Sequence, residues 1–206
     1  MNVIGAILAR NEAGPDRYLE RCVRNALSVC DGVLLLDDGS SDETPDLARD
    51  LGCEVIERPS GNGFWGADEA TPRAQLWNEA AKRAPWVYVF DADHELLGAT
   101  RDDIEMLCAA EHIDGWAFPL LDCWDSGDLH RIDGFWQAWR TPRMWLARTN
   151  FGAPPAWNVR GIHSGHIPHN WRGMISQAPA GMMIRHWSYV DPQHRAAKME
   201  RYLACK

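Results

Sequence analysis

The sequence predicts an α/β protein with a mostly parallel central sheet flanked by helices. Three observations predict it. Short, continuously apolar runs recur at Val3 to Ala9, Val33 to Leu36 and Trp86 to Phe90, as strands buried on both faces require. Between them lie segments with apolar residues three and four apart, the period of one helix face. Strand and helix alternate through the first half, the order that builds a parallel sheet with right-handed crossovers.

Taken in order, the first strand is Val3 to Ala9. "PDRYLERCVRNALSVCDG" then places Leu19, Cys22, Val23, Ala26 and Leu27 on one helical face, with Gly32 as a suitable stop. Val33 to Leu36 is the second strand. In the "DDGSSDE" that follows, Ser40 and Glu43 stand three apart like a capping box, opening a helix through Leu47, Ala48 and Leu51 that stops at Gly52. Cys53 to Ile56 reads as the third strand. Thr71 and Pro72 fit an N-cap and first helical position, ahead of a stripe of Leu76, Trp77, Ala80, Ala81 and Ala84. Trp86 to Phe90, bounded by Pro85 and Asp91, is the next strand, and charge follows at its carboxyl end.

Composition narrows the function classes. The 206 residues hold 21 Lys plus Arg against 29 Asp plus Glu, a formal charge of -8 that argues against a protein whose main work is gripping nucleic-acid backbone. Six cysteines (Cys22, Cys30, Cys53, Cys108, Cys123, Cys205) are scattered without a C-x-x-C pair and read as small buried hydrophobes in a reducing compartment. "MNVIGAILARNE" has too short an apolar part and no basic flank for a signal peptide, and no stretch approaches a membrane span. The expectation is one soluble, cytoplasmic domain over residues 1–206.

Open α/β sheets bind ligands outside the carboxyl ends of their strands. Three such ends carry polar clusters: "ARNE" at Ala9 to Glu12, "DDGSSD" at Asp37 to Asp42 and "DADHE" at Asp91 to Glu95. Asp91 and Asp93 are therefore site candidates, the alternative being that they cap the next turn. No G-x-G-x-x-G follows the first strand and no G-x-x-x-x-G-K-[ST] exists, which removes the dinucleotide and P-loop readings.

"ILARNEA", "LLLDDGSSDET" and "PWVYVFDADHEL", in this order and spacing, resemble the family 2 glycosyltransferases of the GT-A fold, the nucleotide-diphospho-sugar transferase type. The resemblance covers residues 1 to about 98. It implies an inverting hexosyltransferase that takes a sugar from a nucleotide diphosphate sugar, a UDP-sugar ahead of a GDP- or dTDP-sugar, with residues 1–98 as the donor half and 99–206 as the acceptor half. It further implies that Asp38, beside Asp37, holds the base or ribose, since a carboxylate accepts from uracil N–H or ribose hydroxyls. The alternative is that both only shape a turn at Gly39. Ala9, Arg10, Asn11 and Glu12 would line the same pocket, with Arg73 near the diphosphate and Ala92 beside the donor. Asp91 and Asp93 resemble the family's metal pair, Asp93 as direct ligand and Asp91 nearer the ribose or a metal-bound water. Oxygen ligands suit Mn²⁺ or Mg²⁺. Relatives often read Asp-Ala-Asp-Glu; here His94 precedes Glu95, leaving open whether Glu95 takes the Glu role. "MMIRHWSYVDPQHRAAKMERY" resembles the fold's C-terminal segment, a short strand ending in His186, a possible third ligand, and a helix capped by Asp191 with Pro192 first.

An inverting transfer needs a general base. "NVRGIHSGHIP" matches the segment where relatives carry His-Glu, but Ser164 replaces the acid. Asp133, Asp122, Asp125 and His163 are the candidates, with Asp133 preferred. Eleven tryptophans include Trp116, Trp124, Trp136, Trp139 and Trp145, interleaved with Arg131, Arg140, Arg143 and Arg148. Tryptophan faces stack on sugars and bases, so this segment reads as an acceptor surface. The acceptor itself stays open among a glycan, a lipid-linked sugar, a protein side chain and a modified nucleic-acid base. Gly152 to Pro155 and Gly161 to Pro168 are rich in chain breakers, as a flap over the donor would be. Two further readings compete: a sugar nucleotidyltransferase, which "ILARNEAGP" disfavours because it lacks a Gly-rich basic loop, and a non-catalytic nucleotide-sugar-binding module.

Overall fold

The computed structural model describes residues 2–59, 68–134, 137–160 and 163–204. In chain order it contains β1 (Val3–Ala9), α1 (Leu19–Val29), β2 (Gly32–Asp37), α2 (Thr44–Asp50), β3 (Glu54–Glu57), α3 (Ala70–Ala81), β4 (Trp86–Asp91), β5 (His94–Leu97), α4 (Arg101–Ala109), β6 (Gly115–Phe118), β7 (Leu120–Trp124), β8 (Ser126–His130), β9 (Arg143–Arg148), β10 (Ile175–Gln177), β11 (Met183–His186) and α5 (Pro192–Ala204). Seven strands form the central sheet in the order β10-β6-β9-β4-β1-β2-β3, and β5-β11-β7-β8 form a second sheet. The central sheet is parallel at β1/β2, β1/β4, β2/β3 and β10/β6; β9 alone runs against its two neighbours. The α/β class is as expected.

β1 is buried at every position, and β4 at every position except Asp91. This is the physical meaning of their unbroken apolar runs: helices cover both faces, so no alternation is needed. Complete burial of each such side chain contributes roughly 1.5–3 kcal/mol, which makes this pair the mechanical base of the site. Gly5 is part of that packing. A Cβ there would stand 3.1 Å from the Val33 side chain and 3.2 Å from Phe90.

Several element ends differ from the expectation. α1 stops at Val29 with an extended Cys30 behind it, and Gly32 opens β2 instead of closing the helix. No capping box forms at Ser40 and Glu43, because the Ser40 hydroxyl donates to Asp37 while Asp42 Oδ1 accepts the Thr44 N–H at 3.0 Å and starts α2. β3 begins at Glu54, one residue later than read. α3 begins at Ala70, since Asp68 accepts both the Thr71 N–H and its hydroxyl and so moves the start two residues upstream. Ala81 of its stripe is exposed. Asp191 caps α5 as expected, Oδ1 accepting from Gln193 N at 2.6 Å and His194 N at 3.0 Å.

Cys22, Cys30, Cys53 and Cys123 are buried, Cys108 is partly so, and all five are free thiols; Cys205 lies outside the described residues. No helix among the described residues is long and apolar enough to cross a membrane.

Candidate functional site

β4 delivers Asp91 at its carboxyl end, and only Ala92 and Asp93 separate it from His94 at the start of β5. The sheet register then assembles the remainder. His186, last residue of β11, lies opposite His94 on β5 and beside Asp122 on β7, so three strands bring Asp122, His186 and His94 onto one rung. Residues 64 apart in sequence are thus held by pairing that the backbone fixes.

His186 is gripped from both sides. Its Nδ1 is 2.7 Å from Asp122 Oδ1 and its Nε2 is 3.2 Å from Asp93 Oδ2. Nδ1 donates its hydrogen to the Asp122 carboxylate, which can only accept, while Nε2 lies 3.2 Å from both Asp93 Oδ2 and Lys198 Nζ and in the neutral ring accepts from that ammonium. Burial works against a charge on His186, but the Asp93 carboxylate outweighs it and raises its pKa. Burial would likewise raise the Asp93 carboxyl, yet His186 and Lys198 hold it far below the usual range. The Ser188 hydroxyl also donates to Asp93.

His94 behaves differently. Its Nδ1 accepts the Asp91 N–H at 3.1 Å, which puts the ring hydrogen of the neutral form on Nε2. Burial pushes its pKa down to about 3, against the pull of Asp93 and Asp91. A buried neutral imidazole with one nitrogen accepting and the other protonated has no lone pair left for a metal. His94 shares two clusters, Asp91–His94–His166 and Asp93–His94–His186, whose ligand atoms lie within 4.8 Å of one another, and its hydrogen bond from Asp91 N makes it a brace for the β4–β5 turn.

Asp91 is committed within the protein. Its Oδ1 accepts from Arg73 Nη2 at 3.0 Å and its Oδ2 lies 2.9 Å from His166 Nε2. Burial raises its carboxyl, and His166 and Arg73 together overcome that and hold it well below the ordinary range. Arg73 in turn donates twice to Glu69 Oε1, and Glu69 Oε2 accepts the Ser164 N–H at 2.9 Å. This chain ties the 163–166 segment to the mouth of β4. It is also why Ser164 is buried where the sequence suggested an acid.

These groups open onto one cavity of about 1060 Å³ lined by Arg10, Glu12, Arg73, Asp91, Asp93, His163, His166, His186 and Lys198 among others. Ala9 and Ala92 line it as well. Asn11, Asp37 and Asp38 are not among the residues that line it. Asp37 Oδ2 accepts the Gly39 and Ser40 N–H groups, the turn-shaping role given as the alternative. Asp38 is fully buried beneath Arg58, with Arg10 Nη1 at 4.0 Å. Asn11, at φ 55, accepts the Ser41 N–H at 2.8 Å.

Two of the base candidates, His163 and Asp122, line the cavity. Asp133 is exposed, chelated by Arg131 at 2.8 and 2.6 Å and away from the cavity, which removes the reason for preferring it. Asp125 pairs with Arg195 at 2.7 Å, and Asp122 with His186. His163, at φ 64, lines the cavity. Glu95 points off the rung, since side chains alternate along a strand, and accepts from Trp187 Nε1 at 3.2 Å.

The tryptophan-rich segment divides in the same way. Trp116 and Trp145 are buried, whereas Trp124 stacks on Tyr189 between the guanidinium groups of Arg131 and Arg195. Trp136 lies outside the described residues, as do Gly161 and Ile162 of the flap. The remainder of that flap is pinned through Ser164 and His166. The reading of the residues missed His166, Glu69 and Lys198. His166 sits in the same "HSGHIP" that drew attention to Ser164, while nothing near Glu69 or Lys198 in sequence marks them.

Residues 6–107 match the family described as Glycosyl transferase family 2, a stretch that takes in all three motifs. Over those 102 of its 206 residues the chain is similar to that family. An uncharacterized glycosyltransferase of Rickettsia bellii is 29% identical over 108 residues, covering 52% of this chain and 33% of the relative. A TPR repeat-containing protein of Synechococcus elongatus is 32% identical over 91 residues, covering 44% and 20%. The chain thus spans a third or less of the length of these relatives. Solved structures similar to it include S. aureus TarS 1-349, with a TM-score of 0.47 and 17% identity over 72% of this chain and 47% of that one. Another is glucosyl-3-phosphoglycerate synthase from Mycobacterium tuberculosis in complex with Mn²⁺ and UDP-glucose, with a TM-score of 0.39 and 19% identity over 59% and 43%.

Proposed function

We propose that this chain is a metal-dependent inverting glycosyltransferase that moves a sugar from a nucleotide diphosphate sugar, a UDP-sugar, to an acceptor hydroxyl. The observation that carries the proposal is the meeting of Asp93 and His186, 93 residues apart, with Asp122 fixing the imidazole so that Nε2 faces the carboxylate. A carboxylate oxygen and a carboxylate-oriented imidazole nitrogen suit Mn²⁺ or Mg²⁺. Such an ion would be held by Asp93 and His186 and would neutralise charge on the departing diphosphate. Asp91, held by Arg73 and His166, would stand beside the ion, nearer the ribose or a metal-bound water.

The protein's own groups do the rest. Residues 1–98 serve as the donor half, with Ala9, Arg10, Glu12 and Ala92 lining the cavity, and 99–206 as the acceptor half, from which Arg143 and Trp145 reach the same space. Arg73 is held by Glu69 and Asp91 and keeps a fixed positive charge at the mouth of β4. We assign His163 as the base that takes the acceptor's proton, because it lines the cavity, which Asp133 does not, and Asp122, which does, is engaged with His186. The UDP preference follows the motif resemblance, and the acceptor is one of the four classes given above.

The test is UDP release from a panel of UDP-sugars, with Mn²⁺ or with EDTA. Metal-dependent release supports the proposal. Metal-dependent UDP binding without release, with or without added glycan acceptors, favours the binding module that buried Ser164 suggests. Neither binding nor release overturns both.

A further inference from the structure

Lys198, on α5, reaches the Asp93–His186 pair. Its Nζ is 3.2 Å from His186 Nε2 and 3.9 Å from Asp93 Oδ2, the two atoms assigned above to the metal. The same ammonium lies over the Tyr189 ring, 4.7 Å from its centre, and the side chain is only 14% exposed. With the ring hydrogen of His186 on Nδ1, facing Asp122, the Nε2 lone pair accepts from the ammonium, and the ammonium balances the Asp93 charge. These are the two services a divalent ion would perform.

The two cations exclude each other. They need one lone pair on Nε2, and neighbouring positive charges repel strongly where little water screens them. We propose that Lys198 is the resident counter-cation of the metal site and a competitor of the metal, so that an ion binds only by expelling the ammonium from Asp93 and His186. This rests on the metal reading of the site. In consequence, α5 sets the metal affinity from outside the ligand set, and occupancy of the site by an ion weakens the hold of α5 on the second sheet.

The experiment is a titration of the full chain with Mn²⁺ alone at neutral pH, following free ion by electron paramagnetic resonance, for the wild type, Lys198→Met, Lys198→Gln and Lys198→Arg. Circular dichroism checks that each is folded, and the Gln variant serves if Met disturbs α5. Removing the charge should tighten Mn²⁺ binding roughly tenfold, the usual scale of coupling between two ligands of one site, while Arg keeps it within about twofold. Equal or weaker binding by both neutral variants overturns the competition and leaves the metal site standing. No Mn²⁺ binding by any of the proteins, with or without UDP, overturns the metal reading, and the competition falls with it.

Discussion

The polar loops after β1 and β2 and the polar turn after β4 look alike in sequence, yet most of their groups are used differently, although Arg10 and Glu12 of the first loop also line the cavity. In the first region the groups satisfy one another: Thr44 Oγ1 accepts from Glu12 N at 2.7 Å and Ala13 N at 3.0 Å, Asn11 N donates to Ser40 Oγ at 2.9 Å, and Asp37 closes its own turn. In the second, Asp93 and His186 face a cavity with cations gathered on it. A buried polar group must be paired, and the pair can be another loop or a ligand. The difference teaches that a polar cluster at a strand end marks a place in the fold, while the partner of each group decides whether it builds the site or works in it.

Substitutions can break this contrast. The largest effect is expected from Asp93→Asn, which removes the ligand oxygen and should lower metal-dependent UDP release by about 10²–10³-fold, measured as initial rates at saturating donor. Asp38→Asn should instead cost stability, about 3 kcal/mol by urea denaturation, because Arg58 loses a fully buried partner. Asp122→Asn leaves the backbone register intact and removes only the orientation of His186; Mn²⁺ affinity should fall about 10–100-fold in a calorimetric titration.

A smaller, pH-dependent effect sharpens the role of His94. Its folded pKa of about 3 lies below the ordinary imidazole value of 6.5, so the unfolded chain takes up a proton first as the solution is acidified. The stability it contributes is complete above pH 6.5 and is lost as pH falls from there toward 3. Urea midpoints of the wild type should therefore drop between pH 6.5 and 4.5 more than those of His94→Asn. The smallest effect belongs to Asp133→Ala, exposed and outside the cavity, which should leave UDP release within about twofold.

The part of the fold that depends on continuous apolar runs was legible in the sequence, since Val3–Ala9 and Trp86–Asp91 can be little else than buried strands. The start of α5 was legible as well, but those of α2 and α3 were not, because Asp42 and Asp68 accept the first-turn N–H groups in place of Ser40 and Thr71. Asp93 and His186 could be picked out by motif and by resemblance. Their neighbour Asp122 could be placed only by the pairing of β7 with β11, and Lys198 only by the way α5 packs back over Tyr189. Asp38 could be picked out by its motif, but not its ion pair, because the half-buried Arg58 beside it is twenty residues away in sequence.

The most direct test is Mn²⁺ binding by the wild type, Asp93→Asn and Asp38→Asn under one set of conditions. The account predicts that Asp93→Asn loses the ion while folded Asp38→Asn retains it at near wild-type affinity. Wild-type binding by Asp93→Asn, or loss by a folded Asp38→Asn, would contradict the division between a region that holds itself and a region that holds the ligand.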